Sequence, residues 1–399
     1  MITSILNKVK EKIILLLDSH YLEKKHYNPQ HIFVQNINKD FKIENQKKAL
    51  ISYITQPFLS NGEKDLPHTN YRESIEILKT LIKLKYDVDI CHFQDLDVIE
   101  QIKEKKYDLI LGLGEPFYTA TKFNPNAKKI IYCAVEHYDS AINKVEERIN
   151  YYFERHNSKP KVKIQNYYLK HHFQYADYII HKGNKFIKAS FEKFYPKKAT
   201  FSIISAPYSH PLFIEDKRNI SKSKNVFIWF GSIDIYHKGL DILIDVFKRN
   251  PDKKLIVAGI NKDEVKKLNP IPKNIIHIGF INLISNRFID LMNEVSFIIF
   301  PSCSEGMASG VLTCMNHGLI PIITKECGID IEKDFGELIE NYSVENISKI
   351  INEISDLSNL ELSKIHKNVL HQTRKKYNIK NYSNILNSVL NEINKSPKA

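Results

Sequence analysis

The stretch FIIFPSCSEGMASGVLTCMNHGLIPIITKECGID, residues 297–330, decides how this chain folds. Phe297-Ile298-Ile299-Phe300 is an apolar run short enough to be a strand buried on both faces. Pro301 to Ser304 cannot continue that strand. Glu305-Gly306 and then Ser309-Gly310 put small residues at the start of the next helix. Such a start offers unpaired backbone N–H groups and the positive end of the helix dipole, which suits a phosphate. Ile320-Pro321-Ile322-Ile323 returns as a second strand. An acidic side chain beside a small-residue cradle can hold a sugar hydroxyl next to a diphosphate, which points to a nucleotide-sugar site.

Upstream, Val226 to Phe230 reads as an apolar strand turned by Gly231-Ser232, with Lys238-Gly239 preceding a helix. Leu240, Leu243, Ile244 and Phe247 recur at helical spacing and give that helix a buried face. Lys238 before a helix suits a phosphate, and His237 beside it offers a further donor; a solvated lysine is the alternative. Leu255–Ala258 and Ile275–Ile278 are further strands, the second ending in Gly279-Phe280. Five short apolar strands alternate with helical segments in this half, which implies a parallel sheet with right-handed crossovers. The candidate residues all fall just after strand ends, where such sheets bind ligands.

The first half repeats the alternation less cleanly. Ala49–Thr55, Val88–Phe93, Leu109–Leu113, Ile130–Val135, Tyr178–His181 and Phe201–Ile204 are strand candidates. Helices are expected around 71–84 and 184–194. Gly112-Leu113-Gly114 lacks the rest of a dinucleotide fingerprint and reads as a turn.

These segments resemble the donor-site signature of the family-4 (group 1) glycosyltransferases, which have the GT-B fold. The resemblance is densest beyond residue 200; the first half matches mainly by strand order. It implies two Rossmann-like parallel-sheet domains facing across a cleft. It implies that Glu305 and the helix start at Gly306, Met307, Ala308 and Ser309 hold the donor sugar and phosphates, and that Lys238 neutralises the diphosphate. Where the family has a Gly-Arg pair this chain has Gly231-Ser232, and where it has a second, ribose-binding Glu this chain has Thr313. Gly279 and Phe280 match the nucleobase wall, with Phe280 as plain core the alternative. His137 matches a strand-end histidine that faces the donor sugar; a surface histidine is the alternative. Asn61 and Gly62 match a glycine-rich phosphate loop, here with a single glycine.

The implied domains are 1–205 on the acceptor side, a polar linker at 206–224, and a donor-binding domain at 225–377, with 378–399 crossing back to the first. The implied reaction transfers a hexose-like sugar from a nucleotide diphosphate sugar to a hydroxyl of a glycan or lipid-linked acceptor, with retention, in surface polysaccharide or glycan synthesis. Glu305, Lys238 and His137 would be its catalytic residues. The donor is a substrate, and no cofactor or metal is called for by these motifs. A non-catalytic GT-B subunit that scaffolds an active transferase, or a nucleotide-sugar epimerase of the same fold, stays open.

The formal charge of +12 comes mostly from lysine spread along the chain. Without a groove-reading motif it does not imply nucleic acid. The aromatic and basic stretch 150–178 could face an acceptor or a membrane surface, or be a solvated helix and loop. No apolar run approaches the roughly twenty residues of a membrane span. The Ile2–Lys12 segment has a helical apolar face and no cleavage site after it. Five cysteines without metal spacing suggest reduced thiols. The expected location is the cytoplasm, and a peripheral position at the inner face of the membrane stays open.

Overall fold

The computed structural model describes residues 33–38, 47–58, 68–160, 170–213, 216–232, 234–268, 270–332 and 334–396. Two parallel six-stranded sheets organise the molecule. The first contains β1 (Lys47–Tyr53), β2 (Tyr86–His92), β3 (Leu109–Gly112), β4 (Lys128–Cys133), β5 (Tyr178–Lys182) and β6 (Ala199–Ile203), in the spatial order β2-β1-β3-β4-β5-β6. The second contains β7 (Val226–Phe230), β8 (Lys254–Ala258), β9 (Ile275–Gly279), β10 (Phe297–Phe300), β11 (Ile320–Ile323) and β12 (Glu337–Leu338), in the order β12-β11-β10-β7-β8-β9.

The helices of the first domain are α1 (Thr69–Lys83), α2 (Ile99–Lys103), α3 (Gly114–Phe123), α4 (Tyr138–His156) and α5 (Lys185–Phe194). Those that follow are α6 (Ile220–Ser223), α7 (Leu240–Arg249), α8 (Lys262–Lys266), α9 (Asn286–Glu294), α10 (Ser309–Met315), α11 (Val344–Asp356), α12 (Asn359–Lys376) and α13 (Ile379–Lys395). The expected strands are all present, shifted by a residue or two in the first sheet; β12 is a two-residue edge strand that no apolar run announced.

The strands read as apolar runs because both faces of each sheet are covered. On the first sheet, Ala49, Ile51 and Ile130 face one buried layer, while Leu50, Ile110 and Ile131 face the other. The second sheet has one continuous core, in which Phe227, Trp229 and Phe297 lie with α7 and α11.

The chain crosses between the domains twice. The first crossing follows β6. The stretch expected as a polar linker does not run free: Phe213 is in the second core, and the buried Arg218 donates to the carbonyls of Val295, Met292 and His317. The second crossing lies between Tyr377, in the second core, and Tyr382, in the first. From there α13 places Leu386, Leu390 and Ile393 against the first sheet. Lys128 donates to the carbonyls of Ile393, Asn394 and Ser396 at 2.6, 2.7 and 2.8 Å, so a cation closes the negative end of that helix. Ile2–Lys12 lies outside the described residues. Among the described residues no helix is long and apolar enough to cross a membrane.

Candidate active site

In an open parallel sheet, ligands gather where the strand order reverses. In the second sheet that point is between β7 and β10, and the loops leaving these two strands carry Lys238 and Glu305. In the first sheet it is between β1 and β3, whose ends carry Tyr53 and Leu113. The two reversal points face each other across a cleft of about 530 Å³, lined by Tyr53, Ile54 and Leu113 on one wall and Gly231, Lys238 and Glu305 on the other.

The β7 loop is built to present Lys238. The indole N–H of Trp229 donates to the Lys238 carbonyl at 3.1 Å. Gly239 caps α7 with φ +70°, and a Cβ there would come within 2.6 Å of the Pro301 carbonyl oxygen, so only glycine fits. The Lys238 ammonium then reaches the Glu305 carboxylate at 3.1 Å, and the Ser302 hydroxyl donates to the same oxygen at 3.0 Å. Burial works to raise the Glu305 carboxyl, but Lys238 and then Ser302 outweigh it and hold the group below its ordinary value. The cleft therefore contains an ionised carboxylate and an ammonium side by side.

Beyond Glu305, the backbone joins the two domains. Gly306 pairs with Val135 as an antiparallel bridge, and the Glu136 N–H donates to the Glu305 carbonyl at 3.0 Å. A Cβ on Gly306 would stand 2.2 Å from the Ala134 carbonyl oxygen. Gly306 is thus a domain contact and does not line the cleft, which corrects its expected place in the donor seat. Met307, Ala308 and Ser309 do line it. The Ala308 N–H is committed to the Cys327 carbonyl, so Ala308 contributes surface there and no amide.

The remaining expected residues divide. Ser232 lines the cleft, as does Phe280, which is 76% exposed and therefore not core. Gly279, with φ +71°, is the turn behind Phe280 and accepts from the Gly259 N–H; it does not line the cleft itself. Thr313 is on the cleft wall but only 3% exposed, wedged in α10. His237 turns away: its ring nitrogen meets the Ser304 carbonyl, and burial lowers its pKa to about 4. It stays neutral at pH 7 and props the turn that carries Glu305, so it adds no charge for a diphosphate. His137 is a larger correction. It stacks on Phe194 at 4.1 Å inside a cage with Phe173, Phe191 and Tyr195, and is 2% exposed. Burial pushes its pKa down to about 4. The turn after β4 points the ring into the domain, and Ala134 and Val135 line the cleft in its stead. Asn61 and Gly62 lie outside the described residues.

The first wall holds groups that the motifs did not mark. Lys182, the last residue of β5, makes a buried ion pair with Glu73 of α1 at 2.9 Å and donates to Asn70 at 3.1 Å. Glu73 also accepts from Ser205 at 3.0 Å, and the Ser205 hydroxyl lies 3.3 Å from that of Ser309, the first residue of α10. A polar chain therefore links the start of α10 to the first domain's interior. Tyr53 lines the cleft, and its hydroxyl is buried without a hydrogen-bond partner among the described residues. Their only sequence signal is position: Tyr53 and Lys182 end parallel strands. The stretch 150–178 is partly a domain contact. Arg155 of α4 pairs with Asp241 and Asp245 of α7, Tyr151 accepts from the Val344 N–H at 3.0 Å, and Arg148 is buried over the Tyr342 ring at 4.3 Å.

Residues 213–371, which include both Lys238 and Glu305, match the family described as Glycosyl transferases group 1. Over that stretch the chain is similar to a group 1 glycosyltransferase domain. The two-sheet architecture that contains the group 1 domain is that of GT-B glycosyltransferases. WaaG, a glycosyltransferase involved in lipopolysaccharide biosynthesis, is 15% identical, with 87% of this chain and 100% of that one covered at a TM-score of 0.56. Alr3699/HepE of Anabaena, solved with UDP, is 14% identical, with 87% and 100% covered at 0.57. TarM of S. aureus, solved with UDP and alpha-GlcNAc-glycerol, is 14% identical at 0.51; 72% of this chain is covered, and the chain spans 55% of TarM. At such identities the likeness is one of fold. No curated protein matches the chain in sequence.

Proposed function

We propose that this chain moves a hexose-like sugar from a nucleotide diphosphate sugar to a hydroxyl of a glycan or lipid-linked acceptor, with retention, in the synthesis of a surface polysaccharide or glycan. One observation carries the reading: Lys238 and Glu305 meet at 3.1 Å over the strand-order reversal of a group 1 domain. A diphosphate there takes over the Lys238 ammonium and the first turn of α10. Glu305, released from Lys238, accepts from the donor's hydroxyls. The anomeric carbon–oxygen bond to the phosphate breaks as the acceptor oxygen bonds on the same face, and the departing phosphate oxygen takes the acceptor's proton. Lys238 stabilises the charge that develops on that leaving group. The step needs neither a protein base nor a metal. Phe280 offers a ring for the base, and the wall of Tyr53, Ile54 and Leu113 is where the acceptor enters.

The UDP bound in HepE and TarM, and the lipopolysaccharide role of WaaG, support a nucleotide-sugar donor and a glycan or lipid-linked acceptor. Such acceptors place the work at the inner face of the membrane, from the cytoplasm. The test is calorimetry with UDP and GDP, followed by a panel of nucleotide sugars with and without acceptors. Product that requires an acceptor supports the proposal. Conversion of the donor sugar without an acceptor makes the chain an epimerase. No affinity for any nucleotide diphosphate makes it a non-catalytic subunit, a reading that draws on Ser232 and on the nearly closed-off Thr313.

A further inference from the structure

Away from the cleft, Glu115, His171 and His172 bring one carboxylate oxygen and two imidazole nitrogens within 4.8 Å of one another. Glu115 is in the first turn of α3, and the two histidines belong to a short 3-10 turn, Lys170–Phe173. The Nε2 atoms of His171 and His172 lie 2.8 and 3.1 Å from the same Glu115 oxygen. In a 3-10 turn, with about three residues per turn, adjacent side chains leave the axis roughly 120° apart. Two neighbours that converge on one atom are therefore a built arrangement. The rings pack edge to face at 4.4 Å, and Tyr118 braces His171 at 4.7 Å. His172 is 4% exposed, whereas His171 and Glu115 are 39% and 37% exposed, so the cluster has a fixed inner side and an open outer one.

We propose that these three residues form a binding site for a divalent cation of the zinc class. Two imidazoles and a carboxylate are ligands that zinc accepts, at about 2.0–2.2 Å, and a tetrahedral ion at those bond lengths sets its ligand atoms about 3.3 Å apart. The two nitrogen-to-carboxylate separations are a few tenths of an ångström shorter, so an ion enters by moving the carboxylate slightly away from the rings. Each imidazole gives its Nε2 lone pair to the ion and carries its N–H on Nδ1; nothing is oxidised or reduced. The fourth position faces the open side and takes water. None of the three residues lines the cleft, so the role is structural: the ion clips the 170–173 turn to the start of α3, two residues past Leu113 of the cleft wall.

The experiment uses the full chain without an affinity tag, treated with EDTA, freed of it, and titrated with zinc chloride in a calorimeter. Cobalt(II) serves as a second probe, because its visible absorption reports ligand geometry. One ion per chain is expected, with at least about tenfold weaker binding in Glu115→Gln and in His171→Ala. His171 is chosen over the buried His172 so that the fold survives. Zinc is expected to raise the melting temperature of the parent by more than that of either variant. Zinc bound equally by parent and variants would overturn the proposal. So would no zinc bound, in which case the cluster is only a carboxylate holding two histidines.

Discussion

The two walls of the cleft are built by the same rule and differ in how they use it. Each comes from the ends of two strands at the reversal point of a parallel sheet. On the second wall the charged groups are presented to the cleft: Lys238 and Glu305 are partly exposed, pair with each other, and Glu305 also accepts from Ser302. On the first wall the charges are turned inward: Lys182 and Glu73 are 3% and 0% exposed and tie α1 to β5. The same pair of residue types is thus presented to the cleft on one wall and buried in the domain's interior on the other.

That contrast can be broken by experiment, beginning where the effect is largest. Lys182→Met leaves the Glu73 carboxylate buried without its cation, and loss of one partner from a buried pair costs about 3–5 kcal/mol. Denaturant unfolding of Lys182→Met against Lys182→Met/Glu73→Gln is the check, and the double variant is expected to recover most of the loss. A stable single variant would mean that Lys182 belongs with the chemistry after all.

Glu305→Ala is expected to lower transfer by about 10²–10³-fold, the scale of removing one transition-state contact. Stability and nucleotide diphosphate affinity should change little. Steady-state rates read beside a binding titration test this, and loss of diphosphate binding together with activity would move Glu305 from the sugar to the phosphates.

Lys238→Ala is expected to weaken nucleotide diphosphate binding by about 1.5–3 kcal/mol, the worth of a hydrogen bond to a charged group. A dissociation constant equal to the parent's would make Lys238 only the neutraliser of Glu305.

The smallest effect concerns the histidine that left the site. The folded pKa of His137 is about 4, below the ordinary 6.5, so between those values the unfolded chain binds a proton that the folded chain refuses. Stability therefore falls as the pH drops through that window. His137→Phe keeps a ring in the aromatic cage and should make the fall shallower, with little change at pH 7. Parallel melting curves for parent and variant at pH 7 and pH 5 would put the titration elsewhere.

The second wall was legible in sequence because its residues stand in loops of fixed chemistry. Lys238 must precede a residue that tolerates positive φ, and Glu305 must precede one that tolerates the Ala134 carbonyl, so each is followed by a glycine. The first wall has no such punctuation: Tyr53 and Lys182 are strand residues whose importance comes from what folds against them. The helix α4 was hard to read for a related reason. Its apolar contacts are partly made on the other domain, where Tyr151 and Tyr152 pack on the second core, and of its own residues only Val145 and Arg148 are buried. His137 misled because a strand end fixes where a residue sits and not where its ring points. Four large aromatic residues nearby offered it a dry pocket.

The return of α13 to the first sheet sets an order of events during synthesis. Most of the first core is made of residues between 49 and 206, but Tyr382, Leu386, Val389, Leu390 and Ile393 complete it. A ribosome delivers the N-terminal part first, at about 5–20 residues per second. That part must then wait, with part of one apolar face of its sheet left uncovered beside α1, while the group 1 domain is made and can close its own core. The half that is synthesised first is the half that finishes last.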